Sequence, residues 1–500
     1  MIKKNSVQID EMKEPEEKDS STSLAKSVYY IVASISLERF CTAGILTILP
    51  LFLYQKLGLD HNVSTSIFHI FECMMLIFTV FGAIIADTWV GLYQSVIGMS
   101  VVYVAGLALI STAMIETLEF PVYTLVSFGL IVMMIGSGSL KNNLNAFGGA
   151  QHKLPEQKKQ LERYFSVQYF GVKCGSFLSR ILFPIVREDI KCFGKNDCYS
   201  MTFGIPMTIM LISLVIFLIG SSRYIKNKPN GNMLVMVVKC IKNALTEKSK
   251  IKATEKERKH WLDYAEEKYG KKLVMETRAA LKVIMISLPV PIFWACLMQQ
   301  RSRWIFQAVR MDGNLGWFNI KPDQMIVFNS LLSISMIPFL DKLVYPFLEK
   351  IGIKTMLQRL IFGGGLIVIA FILSAIVEVQ IQNNRISMLW QVPQFFIISI
   401  AEIFTYLSHL NFAYKEAPAS MKPVMMSLLY LSMAGGDLIV AIISGISVFP
   451  SQVFEFSFFA CLMLVNIIVL IFLTRRYKHV DHDLLKTIDE NGENNDKIRV

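Results

Sequence analysis

The feature that most limits what this chain can become is the recurrence of long apolar stretches separated by short polar links. A helix that crosses a bilayer needs about 20 mostly apolar residues, because lipid offers the backbone no hydrogen-bond partners. Twelve segments qualify, at 27–54, 64–86, 95–116, 120–140, 164–186, 200–220, 280–300, 324–348, 356–379, 388–412, 422–447 and 452–474. Their apolar residues fall in blocks and not at spaced core positions. Only 18% of the 500 residues are charged, against roughly a quarter in soluble domains. The implied fold class is an all-α membrane protein with 12 transmembrane helices.

The formal net charge of +11 would suit a nucleic-acid partner if it formed a surface patch. It does not, since the Lys and Arg residues sit between apolar blocks, as the positive-inside rule expects. The longest polar stretch, 221–279, is basic and separates the sixth segment from the seventh. Within it, His260 to Tyr269 reads as an amphipathic helix on the membrane surface. The 141–163 loop and Arg475, Arg476 and Lys478 are also basic. With both termini cytosolic, all three lie on the inner face. The first 25 residues are polar, with no apolar core of a secretory signal. The expected divisions are a tail at 1–26, a six-helix bundle at 27–220, the linker at 221–279, a second bundle at 280–474 and a tail at 475–500. The links at 55–63 and 187–199 then face outward. Asn62-Val63-Ser64 is a glycosylation sequon there, and Cys192 and Cys198 share a loop in which an oxidising side would allow a bridge.

Four stretches carry a resemblance. They are Leu37-Glu38-Arg39-Phe40, Gly82 through Asp87 to Gly91, Gly136 through Lys141 to Gly149, and Phe293-Trp294 through Gln299-Gln300 and Ser302-Arg303-Trp304 to Pro322-Asp323-Gln324-Met325. Together they resemble the proton-dependent oligopeptide transporter family of the major facilitator superfamily, most closely its animal members. The large extracellular domain usual there between helices nine and ten is replaced by a short link near Gln380–Ser387. The resemblance implies two six-helix bundles that rock about a site near the midplane.

A peptide carries an ammonium at one end and a carboxylate at the other, so a site for it needs fixed charges of both signs. The resemblance places substrate binding at Arg39, Lys141, Tyr169, Lys173, Trp294, Asn329 and Glu402, and proton coupling at His69, Glu402 and Glu38. Arg39 offers a planar fork to a carboxylate; the competing reading is a structural ion pair. Lys141, read as lying at a helix end, has snorkelling as its alternative. His69 titrates near neutral pH when unperturbed, or it is a satisfied intramembrane hydrogen-bonding group. Trp294 and Tyr169 match pocket aromatics, although such rings more often pack. Lys282 and Asp341 would bridge helices seven and eight as a gate. His69 and Glu72 stand at i, i+3, but no second cluster supports a metal, and none is expected.

The match has gaps. Ile35 stands where the first motif has an acid, Thr42 and Ala43 where it has tyrosines, and Met298 where helix seven has an acid. Lys173 replaces a peptide-binding Asn, and Leu429 a pocket Trp. Glu72 and Asp437 are additional intramembrane acids that would balance Lys173 or define a different substrate. The reading that follows is a proton-coupled symporter of di- or tripeptides or peptide-like solutes, not an enzyme. It needs no cofactor beyond the proton gradient and works as a monomer in the plasma membrane. The alternatives are a relative moving another small solute and a non-transporting sensor.

Overall fold

The computed structural model describes residues 26–115, 120–153, 156–192, 194, 197–229, 231–250, 258, 260–339, 342, 344–350 and 352–477. The first half contains α1 (Lys26–Leu51), α2 (His61–Ile85), α3 (Leu92–Ala113), α4 (Val122–Gly149), α5 (Lys158–Asp189) and α6 (Tyr199–Ile219). The linker carries α7 (Met233–Lys250). The second half contains α8 (Glu266–Ser287), α9 (Val290–Met298), α10 (Arg303–Val309), α11 (Val327–Phe339), α12 (Tyr345–Lys350), α13 (Met356–Asn383), α14 (Val392–Glu416), α15 (Lys422–Ile446) and α16 (Gln452–Arg476).

Among the described residues, ten helices are long and apolar enough to cross a membrane. The seventh expected span is a bent pair, Trp261–Ser287 followed by Val290–Val309, with 49° between the two parts. Pro289 and Pro291 lie at that bend and supply no N–H to a helical ladder. The eighth is described as α11 and α12. The protein is thus a multi-pass membrane bundle in two halves, each with its own apolar core. One core gathers residues from Val28 to Tyr224, the other from Val237 to Leu470.

Lipid tails do not drive helices together, so close contact depends on small residues. At the α3–α4 crossing, a Cβ on Gly106 would lie 2.6 Å from the Met133 nitrogen. Where α15 crosses α9, a Cβ on Gly436 would lie 2.6 Å from Trp294 Cβ and 2.7 Å from the Ala295 nitrogen.

Two boundaries depart from the sequence expectation in ways that bear on the site. Helix α4 continues to Gly149, so Lys141 lies within a helix and not at its end. The polar run there reads as a loop but is a helix face turned toward the interior. The linker helix is Met233–Lys250, whereas residues 261–265 form a short 3-10 turn leading into α8. Val237, Cys240 and Ala244 of α7 join the core of the second half, which anchors the linker there.

Alternate crossings put the Cys192–Cys198 loop and residues 310–323 on one face, called the loop face below. Residues 220–229 and 231–250 occupy the opposite, linker face.

Candidate functional site

Charge buried in an apolar bundle must be paired, hydrogen-bonded or hydrated, so the site is built outward from its ionisable groups. On α1, Glu38 is buried and takes Arg39 Nε at 3.1 Å on one oxygen. Its other oxygen accepts the Thr42 hydroxyl at 2.9 Å, and Thr42 meets the Tyr103 hydroxyl at 3.0 Å. Lys141 of α4 joins this group electrostatically. Its ammonium lies 5.7 Å from the ring centre of Tyr430, which belongs to α15 in the other half.

Glu402 of α14 is held by neutral donors. One oxygen accepts Gln300 Nε2 at 3.0 Å and Asn329 Nδ2 at 2.9 Å, and Asn329 also reaches Ser399 at 3.2 Å. The cations within electrostatic reach of Glu402 are Lys173 and Arg180 of α5 and Arg301 of the second half. Lys173 lies 5.5 Å from the Tyr169 ring, and Arg180 donates to the Ser330 hydroxyl across the halves. Arg39, by contrast, stays with Glu38. The opposite charges that confront each other are therefore carried largely by residues other than the expected pair. Tyr169 is 45% exposed, whereas Trp294 is buried against α15 with no partner for its indole N–H among the described residues.

His69 on α2 is sealed between the halves. Its Nδ1 is 2.8 Å from Asp437 of α15, and its Nε2 is 2.8 Å from the Ser302 hydroxyl. A hydroxyl can donate or accept, so Ser302 suits either charge state of the imidazole. Glu72, one turn along α2, pairs with Arg301 at 2.5 Å. Neither new acid balances Lys173, contrary to the charge count alone. His69, Glu72 and Asp437 do place ligand-type atoms within 4.8 Å of one another. However, both imidazole nitrogens and one oxygen of each carboxylate are already engaged, and the Arg301 guanidinium stands where it would repel a cation. Glu72 Oε2 and Asp437 Oδ2 have no partner among the described residues.

Between α9 and α10 the helix breaks at a 3-10 turn, Gln299–Arg301, followed by Ser302 at φ −134° and ψ −78°. Four consecutive side chains leave this break for different partners. Gln300 goes to Glu402, Arg301 to Glu72 and Ser302 to His69. Arg303 reaches Glu455 at 2.9 Å and Asn62 at 2.7 Å.

The loop face is shut by paired charges and rings. Arg187 holds Asp323 with two bonds of 3.2 Å, and Lys321 meets Asp189 at 2.7 Å. Tyr54 and His61 of the first half pack on Phe306 of the second. Along α2 and α15, the Ser66 hydroxyl donates to the Ala441 carbonyl at 2.9 Å. Cys192 and Cys198 are disulfide-bonded in the adjoining loop. The sequon residue Asn62 lends its side-chain oxygen to Arg303. Lys282 is exposed on α8 near His260, and Asp341 lies outside the described residues.

Sequence reasoning missed Arg180 and Arg301 as site residues, although Arg180 shares its apolar segment only with the cation Lys173 and Arg301 directly follows Gln299-Gln300. Asp437 is visible in the sequence as an intramembrane acid but not as the partner of His69.

Comparison with known proteins agrees with this layout. The family model described as "PTR2: POT family" matches residues 93–457. "Peptide transporter family 1" of Drosophila melanogaster is 40% identical over 358 residues, covering 72% of this chain and 48% of that protein. Human "Solute carrier family 15 member 2" is 39% identical over 361 residues, covering 71% of this chain and 49% of that protein. The chain thus spans about half the length of the curated relatives it matches. Among solved structures, that of the POT family transporter PepTSo superposes with a TM-score of 0.80 at 25% identity, covering 91% of this chain and 98% of that one. The expected two-bundle fold of the major facilitator superfamily is met by this likeness. From the family match and the bundle together, this chain belongs to the POT family.

Proposed function

We propose that this protein carries small peptides or peptide-like solutes across a membrane together with protons, by alternating access. The observation that supports this best is the division of fixed charge between the halves. Arg39, Lys141, Lys173 and Arg180 belong to the first half, and Glu402 to the second, with partly accessible side chains turned to the space between them. A peptide ammonium would replace the neutral donors at Glu402. Its carboxylate would go to Arg39 and Lys141, whose one salt-bridged acid among the described residues is Glu38.

In this reading the structure represents the state shut toward the loop face. Opening that face requires α2 to part from α15, breaking the His69–Asp437 contact and admitting water to both groups. A proton on His69 makes an ion pair with Asp437 and favours closure. The free oxygens of Glu72 and Asp437 are the adjoining places for a proton. A bound solute shifts the balance only by its different affinity for the two states. Basic residues on the linker face favour a cytosolic linker and cytosolic termini. We assign the protein to the plasma membrane, acting as a monomer with the proton gradient as its driving force.

Uptake of a labelled dipeptide into proteoliposomes, with and without an acid-outside gradient, tests the proposal. Acid-stimulated accumulation is expected. Binding without flux would replace transport with a sensor role.

A further inference from the structure

The charges of the pocket do not balance, and the imbalance is local. Arg39 holds Glu38 and Arg301 holds Glu72, while Asp437 is taken by His69. Lys141, Lys173 and Arg180 make no salt bridge among the described residues; their contacts are the rings of Tyr430 and Tyr169 and the Ser330 hydroxyl. Glu402 is the carboxylate closest in sense to an answer, yet it is bonded to amides and faces Lys173, Arg180 and Arg301 together.

A zwitterionic peptide with neutral side chains fits this poorly. Its carboxylate would satisfy Arg39 and Lys141, but its ammonium would enter beside Glu402 among cations that repel it. A second negative group next to the ammonium removes that conflict, because it offers Lys173 and Arg180 a partner at the same moment. In a short peptide, the group placed there is the side chain of the first residue.

We infer that the preferred solute is an anionic peptide whose N-terminal residue is acidic, with Lys173 and Arg180 receiving that side chain. This rests on the transport reading above. It assigns the α5 cations to a side-chain subsite and not to the terminal carboxylate. Lys173 and Tyr169 stand one turn apart on α5, and the ammonium lies 5.5 Å from the ring centre.

The test is counterflow in proteoliposomes loaded with Glu-Ala, with Glu-Ala, Ala-Glu, Ala-Ala and Lys-Ala as external competitors, repeated with Lys173→Gln and Lys173→Arg. Glu-Ala should compete at least about tenfold better than Ala-Ala, in keeping with the strength of a charge-assisted contact in a partly buried site. Ala-Glu should fall between them, and Lys-Ala should be weakest. Lys173→Gln should bring Glu-Ala and Ala-Ala close together, and Lys173→Arg should keep them apart. Equal competition by Ala-Ala in the unaltered protein overturns the inference while leaving peptide transport intact. That arm needs no variant, so a misfolded substitution cannot obscure it. If no peptide competes or exchanges, the transport reading falls and the inference with it.

Discussion

The loop face and the central pocket are both rich in charge, but they treat it in opposite ways. At the loop face, Arg187 meets Asp323 in a two-bond pair, Lys321 meets Asp189, and Arg303 meets Glu455. In the pocket, Lys141, Lys173 and Arg180 have rings and a hydroxyl instead of carboxylates. Removing one member of a buried pair strands the other, whereas removing a cation from a surplus relieves repulsion. Matched charge holds a conformation; unmatched charge waits for a ligand.

The largest effect is expected at the matched side. Asp323→Ala takes both of its bonds from the buried Arg187 and leaves that cation to the more exposed Glu188 and to Gln55, a cost of about 1–3 kcal/mol against the closed state. The thermal midpoint should fall, and a cysteine placed at Ser66 should become reactive from the loop side. Unchanged melting with an inaccessible Ser66 site would remove the distinction drawn here. Next in size is Asp437→Asn, which keeps shape and one hydrogen bond but removes the charge facing His69. Peptide exchange should survive while gradient-driven accumulation falls toward the level reached without a gradient. Persisting accumulation would take His69 and Asp437 out of coupling. A smaller effect belongs to the unmatched side. Lys173→Met should leave stability within about 1 kcal/mol, or raise it, because no salt bridge is lost. A clear loss in a thermal-shift assay would mean that the surplus is structural after all.

The smallest effect lies outside the bundle and separates local from coupled pH dependence. Burial, with help from the Arg278 and Lys282 cations and against Asp263, holds the His260 imidazole below its ordinary value. Its Nδ1 accepts the Leu262 N–H at 3.2 Å, capping the turn that leads to α8. The folded protein therefore prefers neutral His260, while the unfolded segment protonates near the usual value of about 6.5. The cap's contribution is fully present above that pH and is lost as pH falls toward the lower folded value. Protection of the Leu262 amide, measured against its intrinsic exchange rate at each pH, should fall over that interval in the unaltered protein and stay level in His260→Asn.

Much of the fold could be read from sequence because lipid imposes a coarse and local rule. Spans such as α13 and α16 keep their charges near the ends of a long apolar run and leave no ambiguity. The rule fails where a helix faces the interior. Lys141 and the asparagines after it look like a loop, yet α4 runs through them to Gly149. The bent seventh span is shortened in sequence for the same reason, since Gln299 to Arg303 interrupts the apolar run. The site was legible as a list of charges and illegible as a set of pairs. His69 and Asp437 are 368 residues apart, and Arg301 and Glu72 are 229 apart, so no local pattern joins them. Charge counting alone leaves Glu72 and Asp437 either to balance Lys173 or to define a different substrate, and packing puts them on Arg301 and His69.

The break between α9 and α10 gathers Gln300, Arg301, Ser302 and Arg303 onto four separate destinations. Advancing a helix by one residue turns a side chain through about 100°. Were this short turn to wind into regular helix, all four would swing away from their partners in a single step. Solute contact, proton contact and closure would then be geared to one another by the covalent chain itself, with no relay of messages through the surrounding helices.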